Sequence, residues 1–199
     1  MSVTVIAATE RPLDVISIAA GNCYGNPNID HKRVARCARN GHMSVFEHAS
    51  ATFMLEGVSR ALMAQLTRHR IASFSIRSQR YCKLEPGTEW YVIPPKVRDS
   101  YSSLIPFVSA MEESERRYFE LIDEGMKPED ARFVLGEAAK TCIVVTMNVR
   151  ELFHVLELRD SQHAQWEIRE CAREMESAAM KWSDQWRELM LLRQEAVSE

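Results

Sequence analysis

The stretch TRHRIASFSIRSQRY, Thr67–Tyr81, carries Arg68, Arg70, Arg77 and Arg80 together with His69 and the serines Ser73, Ser75 and Ser78, and it contains no carboxylate. Where the helix before it ends, and whether its serines form a loop, decides how the chain folds around these cations. Like charges gathered without counterions repel one another, so an external anion that satisfies several of them is the simpler account. Part of the set has a plainer reading. Arg68, His69 and Arg70 at a helix C-terminus complement the helix dipole and need no ligand. That reading does not reach Arg77 and Arg80.

Immediately upstream, SRALMAQLTRHR has Ser59 as a candidate N-cap and Ala61, Leu62, Gln65, Leu66 and His69 at helical spacing, which predicts a helix ending near Arg70. On such a helix Gln65 and Arg68 share a face, and a Gln amide beside an Arg can read a planar ring that both donates and accepts. Past the helix, Ser73, Ser75 and Ser78 favour a loop. EWYVIPP, at 89–95, reads as a strand ended by its prolines.

Further out, VTVIAA (3–8) and ATFMLEGV (51–58) read as strands, and HKRVARCARNGH (31–42) as a helix stopped by Gly41. A long helix over 102–124 stops at Gly125, and Pro128 opens another that runs to about Lys140. TCIVVTMN (141–148) is rich in β-branched residues and reads as a buried strand, although short apolar runs also fit a helix. NVRE has the form of a capping box, so Asn148 starts a helix carrying Arg150, His154 and Arg159, with His163 repeating the four-residue Arg-to-His interval. The last forty residues are mostly helical in pattern. A few strands among longer helices, without regular alternation, predict an α+β fold: a single domain over 1–199 with a central, mostly antiparallel sheet flanked by long helices.

The chain has 199 residues, 46% of them hydrophobic and 27% charged, with a mean hydropathy of -0.27, all ordinary for a globular protein. Its longest apolar runs are about four residues, far below the roughly 20 that cross a bilayer, and the N-terminus lacks a signal-peptide core, so a cytoplasmic location is expected and no membrane association. The five cysteines are scattered, with no Cys-x-x-Cys pair, which disfavours disulfides and structural zinc. The net charge of -3 argues against a general polyanion binder. Of the basic residues 19 are Arg and 6 are Lys, a bias toward bidentate recognition of phosphate or carboxylate.

No serine occupies a Gly-x-Ser-x-Gly elbow, no cysteine sits in a reactive context, and neither the phosphate-loop motif nor Gly-x-Gly-x-x-Gly occurs among seven glycines. His42 and His48 lack a matching third ligand, so no metal is expected. An enzyme built this way would draw its reactive atoms from a bound cofactor. A non-catalytic nucleotide or single-stranded RNA binder, with Phe74 and Tyr81 as stacking platforms, is the competing reading. The net charge and the scattered aromatics count against it, and no nucleic-acid partner is expected.

Arg-His-Arg, seven residues, then Ser is the pattern of RHRIASFSIRS, and it resembles the signature of the flavin-dependent thymidylate synthases. FEHAS (46–50), NVRELFH (148–154) and LRDSQHAQWEI (158–168) resemble further segments of that family in the same order, so the likeness spans about residues 40–170. The resemblance implies a homotetramer of α/β subunits with FAD bound where subunits meet. It implies methylation of dUMP to dTMP, with methylenetetrahydrofolate as carbon donor and NADPH as reductant. Carried over by position, Ser50, Arg68, His69, Arg70, Asn148, Arg150 and His154 would hold FAD, with His163 close to it. Gln65, Arg68, Ser78, Gln79, Arg80, Arg132 and Arg159 would hold dUMP, several of them from a neighbouring chain.

The family mechanism uses no side-chain nucleophile on the uracil, so Ser78 is expected to bind phosphate. Arg159 would be the catalytic residue, stabilising the pyrimidine ionised at N3 while reduced flavin acts on the activated ring. A fixed guanidinium beside a developing anion is electrostatic catalysis. Arg80 and Arg132 would clamp the phosphate. Three positions depart from the family pattern: Ile76 stands where Glu or Gln is frequent, Arg77 where an apolar residue is frequent, and Gly136 where proline is common.

Overall fold

The computed structural model describes residues 1–198. The sequence's β-branched and alternating segments pair into one four-stranded sheet in the order β1-β2-β4-β3, with β1 Ser2–Ala8, β2 Ser50–Ser59, β3 Ala72–Ile76 and β4 Lys140–Asn148. β1 runs antiparallel to β2. β2 runs antiparallel to β4: Ala49 pairs with Val149, Thr52 with Thr146 and Arg60 with Ala139, so partners descend as positions ascend. In β4 alternate residues, Thr141, Ile143, Val145 and Met147, are buried, the period-2 pattern of a strand covered on one face. The chain divides into two compact units, one comprising 1–56, 66–75 and 144–199 and the other 57–65 and 76–143.

In the first unit the helices are α1 Pro12–Asn22, α2 His31–Arg39, α7 Val149–Arg159, α8 Trp166–Trp182 and α9 Asp184–Ser198, with a 3₁₀ turn at Met43–His48. α8 packs on β1 and on α9, and α1 packs on α2 and α9. The core is Leu13, Ile16, Phe46, Phe53, Leu55, Leu152, Leu156, Met175 and Trp186, each at most 1% exposed. The Trp186 indole N–H donates to the Thr9 carbonyl at 2.9 Å. Asp14, buried in α1, accepts from Gln185 Nε2 at 3.1 Å and meets His31 Nε2 at 2.7 Å. The His31 hydrogen bond leads in holding the Asp14 carboxyl below its usual range, against the opposing effect of burial.

In the second unit the helices are α3 Arg60–Leu66, α4 Pro95–Arg98, α5 Tyr101–Asp123 and α6 Pro128–Ala131. α5 packs on α4 and α6, and its Tyr118, 1% exposed, accepts a hydrogen bond from the Leu84 amide at 3.3 Å. α5 stops at Gly125, whose φ of +92° is a left-handed value that favours glycine.

Several expected elements change. The helix that should reach Arg70 ends at Leu66, and the His69 amide bonds to the Leu66 carbonyl to close the turn. Arg68, His69 and Arg70 therefore follow a helix rather than finish one, and the shared helical face of Gln65 and Arg68 does not form. Of the expected serine-rich loop, Ser73 and Ser75 belong to the strand β3, whose residues alternate half-buried and exposed with these two outward, because alternation outweighed the turn preference of serine; Ser78 does lie past the strand, in a turn. EWYVIPP contributes only an isolated bridge, Tyr91 to Ala139. The helix at Pro128 lasts one turn and passes into a 3₁₀ turn, Arg132–Val134, and Lys140 already belongs to β4. α7 ends at Arg159, so His163 lies in the turn before α8 rather than on a helix face.

Candidate functional site

In the first unit, Asn148 caps α7 as its sequence predicts, its Oδ1 accepting from the Glu151 amide at 2.8 Å. The capping box stops there. The Val149 amide bonds to the Ala49 carbonyl, while the Glu151 side chain does not turn back to the Asn148 amide but inward, where the residue is 5% exposed. Its Oε1 meets Nδ1 of His69 at 3.1 Å. On the other side of the ring, Arg159 Nε donates to His69 Nε2 at 3.0 Å.

These two contacts fix the protonation of the ring. A guanidinium only donates, so Nε2 accepts and the single ring proton sits on Nδ1, where it donates to the Glu151 carboxylate. His69 is thus neutral. Burial leads in pushing its pKa below the ordinary value, helped by Arg159 and His154 and opposed by Glu151. The result is a line of three side chains, carboxylate, imidazole and guanidinium, that ends in the Arg159 fork at the last turn of α7. The His154 ring lies edge-on to His69 at 5.6 Å between centroids.

Around this line Arg68, Arg70, Arg150, His154, His163 and Ser50 are exposed, and Asn148 is half-buried. Arg150 Nη1 reaches Glu47 Oε1 at 2.5 Å, a pair about half exposed on both sides and so weak. Gly41, Gly57 and the other left-handed glycines lie outside this donor set.

The second unit holds the other half of the predicted set. The Ser78 hydroxyl accepts from the Arg80 amide at 3.2 Å, and the Ser78 carbonyl accepts from the amides of Tyr81 and Cys82. This local turn is what serine chemistry supplies, and it projects Arg80. Arg80 Nε donates to Glu129 Oε2 at 2.9 Å, while Arg132 Nε donates to the Glu129 carbonyl at 3.0 Å. Glu129 thus draws both predicted phosphate clamps to one residue. Gln79 is half-buried, and Gln65 Nε2 reaches the Ala61 carbonyl at 3.4 Å.

Arg77 is held by its main chain: its amide donates to the Cys142 carbonyl at 2.9 Å and its carbonyl accepts from Arg60 Nη2 at 3.1 Å. Arg60 also has a buried Nε without a partner among the described residues. Burial first, and then Arg132, lower the Arg60 pKa, with Glu137 opposing. Three residues here escape sequence reasoning. Glu151 was visible as the third residue of a capping box, but its inward turn was not. Glu129 looks like an ordinary first-turn acid, and Arg60 an ordinary residue after an N-cap, a role Ser59 does fill by accepting from the Leu62 amide at 3.0 Å.

The fold is α+β, and in its first unit one arginine, Arg159, is backed by a carboxylate-bound imidazole. Residues 4–183 match the family model described as Thymidylate synthase complementing protein, and the chain belongs to that family, the flavin-dependent thymidylate synthases of dTMP biosynthesis. The flavin-dependent thymidylate synthase of Geobacter sulfurreducens is 43% identical over 186 residues, spanning 88% of this chain and 80% of that one. That of Pyrococcus furiosus is 40% identical over 195 residues, spanning 92% and 80%. Two crystal structures of the Helicobacter pylori enzyme ThyX with FAD and dUMP share the fold. One gives a TM-score of 0.74 at 28% identity over 89% of this chain and 93% of that one; the other gives 0.78 at 25% identity over the whole of both. Among the described residues, no helix is long and apolar enough to cross a membrane.

Proposed function

We propose that this chain, acting as one domain over 1–199 and as a cytoplasmic homotetramer with shared active sites, binds FAD and dUMP and methylates dUMP to dTMP, with methylenetetrahydrofolate as carbon donor and NADPH as reductant. The observation that carries the reading is the carboxylate–imidazole–guanidinium line ending in Arg159, inside a family whose solved Helicobacter pylori members hold FAD and dUMP.

The donor set fits FAD. Arg68, Arg70 and Arg150 with His154, Ser50 and Asn148 supply N–H and O–H groups suited to a pyrophosphate and to ring carbonyls, and His163 lies on the turn that follows Arg159. His69 differs from the others: with both ring nitrogens engaged inside the chain, its side chain serves Arg159, and any contact with FAD falls to its backbone. FAD, when bound, supplies the hydride that completes the methyl group.

For dUMP, Arg80 and Arg132 grip the phosphate in the bidentate manner that Arg allows and Lys does not, and Ser78, Gln79 and Arg68 add donors. Gln65 reads the pyrimidine edge. Arg159, its Nε anchored on His69, stabilises negative charge at pyrimidine N3, an electrostatic effect strengthened where water is scarce.

The test is a spectral titration. The purified oligomer should be yellow with bound FAD, and its flavin band should shift when dUMP is added. A colourless oligomer that takes up no FAD would defeat the reading.

A further inference from the structure

We propose that Glu151 is a positioning residue for the reaction: by accepting the proton of His69 Nδ1 it keeps Nε2 as an acceptor, and so fixes Arg159 in place. The inference rests on the role proposed for Arg159. A capping-box glutamate ordinarily reaches back to the N-cap amide in solvent. Here the residue is 5% exposed and its carboxylate is 3.1 Å from an imidazole that is itself 4% exposed.

Geometry assigns the direction of each bond. Arg159 Nε has a hydrogen and no lone pair, so the 3.0 Å contact with His69 Nε2 exists only while Nε2 is unprotonated. An imidazole chooses between its two neutral tautomers according to the partner its other nitrogen finds. Without an acceptor at Nδ1, a buried N–H there would lose its hydrogen bond, and the ring would move its proton to Nε2. Two N–H groups would then face each other, and Arg159 would swing away from the ring. The negative charge of Glu151 also balances the guanidinium across the neutral ring, which lowers the cost of holding Arg159 partly buried. Among the described residues, the charged or titratable groups acting on the ring are Glu151, Arg159 and His154, the last edge-on and exposed.

The purely structural alternative is that Glu151 merely completes the start of α7. The two differ in what Glu151→Gln and Glu151→Leu do. Gln retains an oxygen able to accept from Nδ1, so its kcat should stay within about fivefold of the parent. Leu fills the space without an acceptor, and its kcat should fall about 10- to 100-fold, the range for losing the outer partner of a working imidazole. The dUMP KM and the bound FAD should change little in both. Independently of turnover, long-range ¹H–¹⁵N correlation on the ¹⁵N-labelled FAD-loaded protein should show His69 neutral with its proton on Nδ1, the signal being assigned by its loss in His69→Asn.

The proposal is overturned by a folded, FAD-loaded Leu variant whose kcat stays within about twofold of the parent, or by a parent spectrum with the proton on Nε2 or on both nitrogens. Should the Leu variant not fold, the parent spectrum still decides. A parent that binds FAD but makes no dTMP would instead count against the activity itself, leaving the tautomer to be read separately.

Discussion

Glu129 holds Arg80 by its side chain, with Oε2 2.9 Å from Arg80 Nε, and this carboxylate stands where the proposed reading needs a phosphate. The pair is partly solvated, with side-chain exposures of 54% and 33%, so it is worth about 1 kcal/mol or less. The dUMP phosphate of the proposed reading, a dianion, should outcompete it. Glu129→Gln should therefore tighten dUMP binding by about fivefold or less at low salt, measured by titrating the flavin absorbance. Weaker binding would mean that Glu129 orders Arg80 rather than competing for it.

Arg159 gives a sharper outcome. Arg159→Ala should lower dTMP formation by at least about 100-fold, the scale for losing a positioned donor at developing charge, while FAD remains bound. Arg159→Lys should recover little of it, because an ammonium has no Nε–H to meet His69 Nε2 while its other donors reach forward. Turnover near the parent rate in either variant, with the flavin spectrum intact, would remove Arg159 from the chemistry.

Elements with strong periodicity were legible in the sequence: β1, β2, β4, α5 and the cap at Asn148. The failures around Thr67–Tyr81 have one physical source. The spacing of His69 fits a helix, but the fold buries it between Glu151 and Arg159, partners 82 and 90 residues away, and the helix ends at Leu66. Likewise the turn preference of Ser73 and Ser75 yields to the strand alternation set by Ala72, Phe74 and Ile76. Glu129 and Glu151 stayed hidden because each acts through a long-range contact that local pattern cannot encode.

The strand pairing that carries Asn148 to α7 can be tested on its own. Thr52 and Thr146 share a hydrogen bond at 2.9 Å between their hydroxyls on β2 and β4. Thr→Val at either position leaves the other hydroxyl without its partner and should cost about 1 kcal/mol, whereas the double Val variant should lie close to the parent, because matched apolar groups replace matched polar ones. Denaturant unfolding of all four proteins gives the coupling directly. Additive losses would show that solvent already satisfies both hydroxyls.

The cysteines should divide by burial. The Cys171 thiol is pushed up to about 12, chiefly by burial and then by Glu167, Glu170 and Glu174, so almost no thiolate forms at pH 8. In the native protein Cys171 should resist alkylation that modifies exposed Cys23, as read by peptide mass spectrometry, and should react only after denaturation. Alkylation of native Cys171 at the rate of Cys23 would contradict its burial.

His69 also ties the site to stability. Its folded pKa lies below the ordinary value near 6.5, with burial the largest cause, Arg159 and His154 acting in the same direction and Glu151 against them. Below pH 6.5 the unfolded chain binds a proton that the folded ring refuses, so acidification favours unfolding. The slope approaches about 1.4 kcal/mol per pH unit until the folded pKa is reached, and above the unfolded value the contribution is flat. Asp14 titrates in a separate, more acidic window, since its ordinary value is 3.8 and its folded value is lower still. His69→Gln keeps a donor for Glu151 and an acceptor for Arg159 but cannot take up a proton. Between pH 7 and pH 5 the Tm of the parent should therefore fall more steeply than that of His69→Gln. A parent that gained stability relative to the variant on acidification would show that the folded protein holds His69 charged, and the Arg159 contact with Nε2 would then be lost.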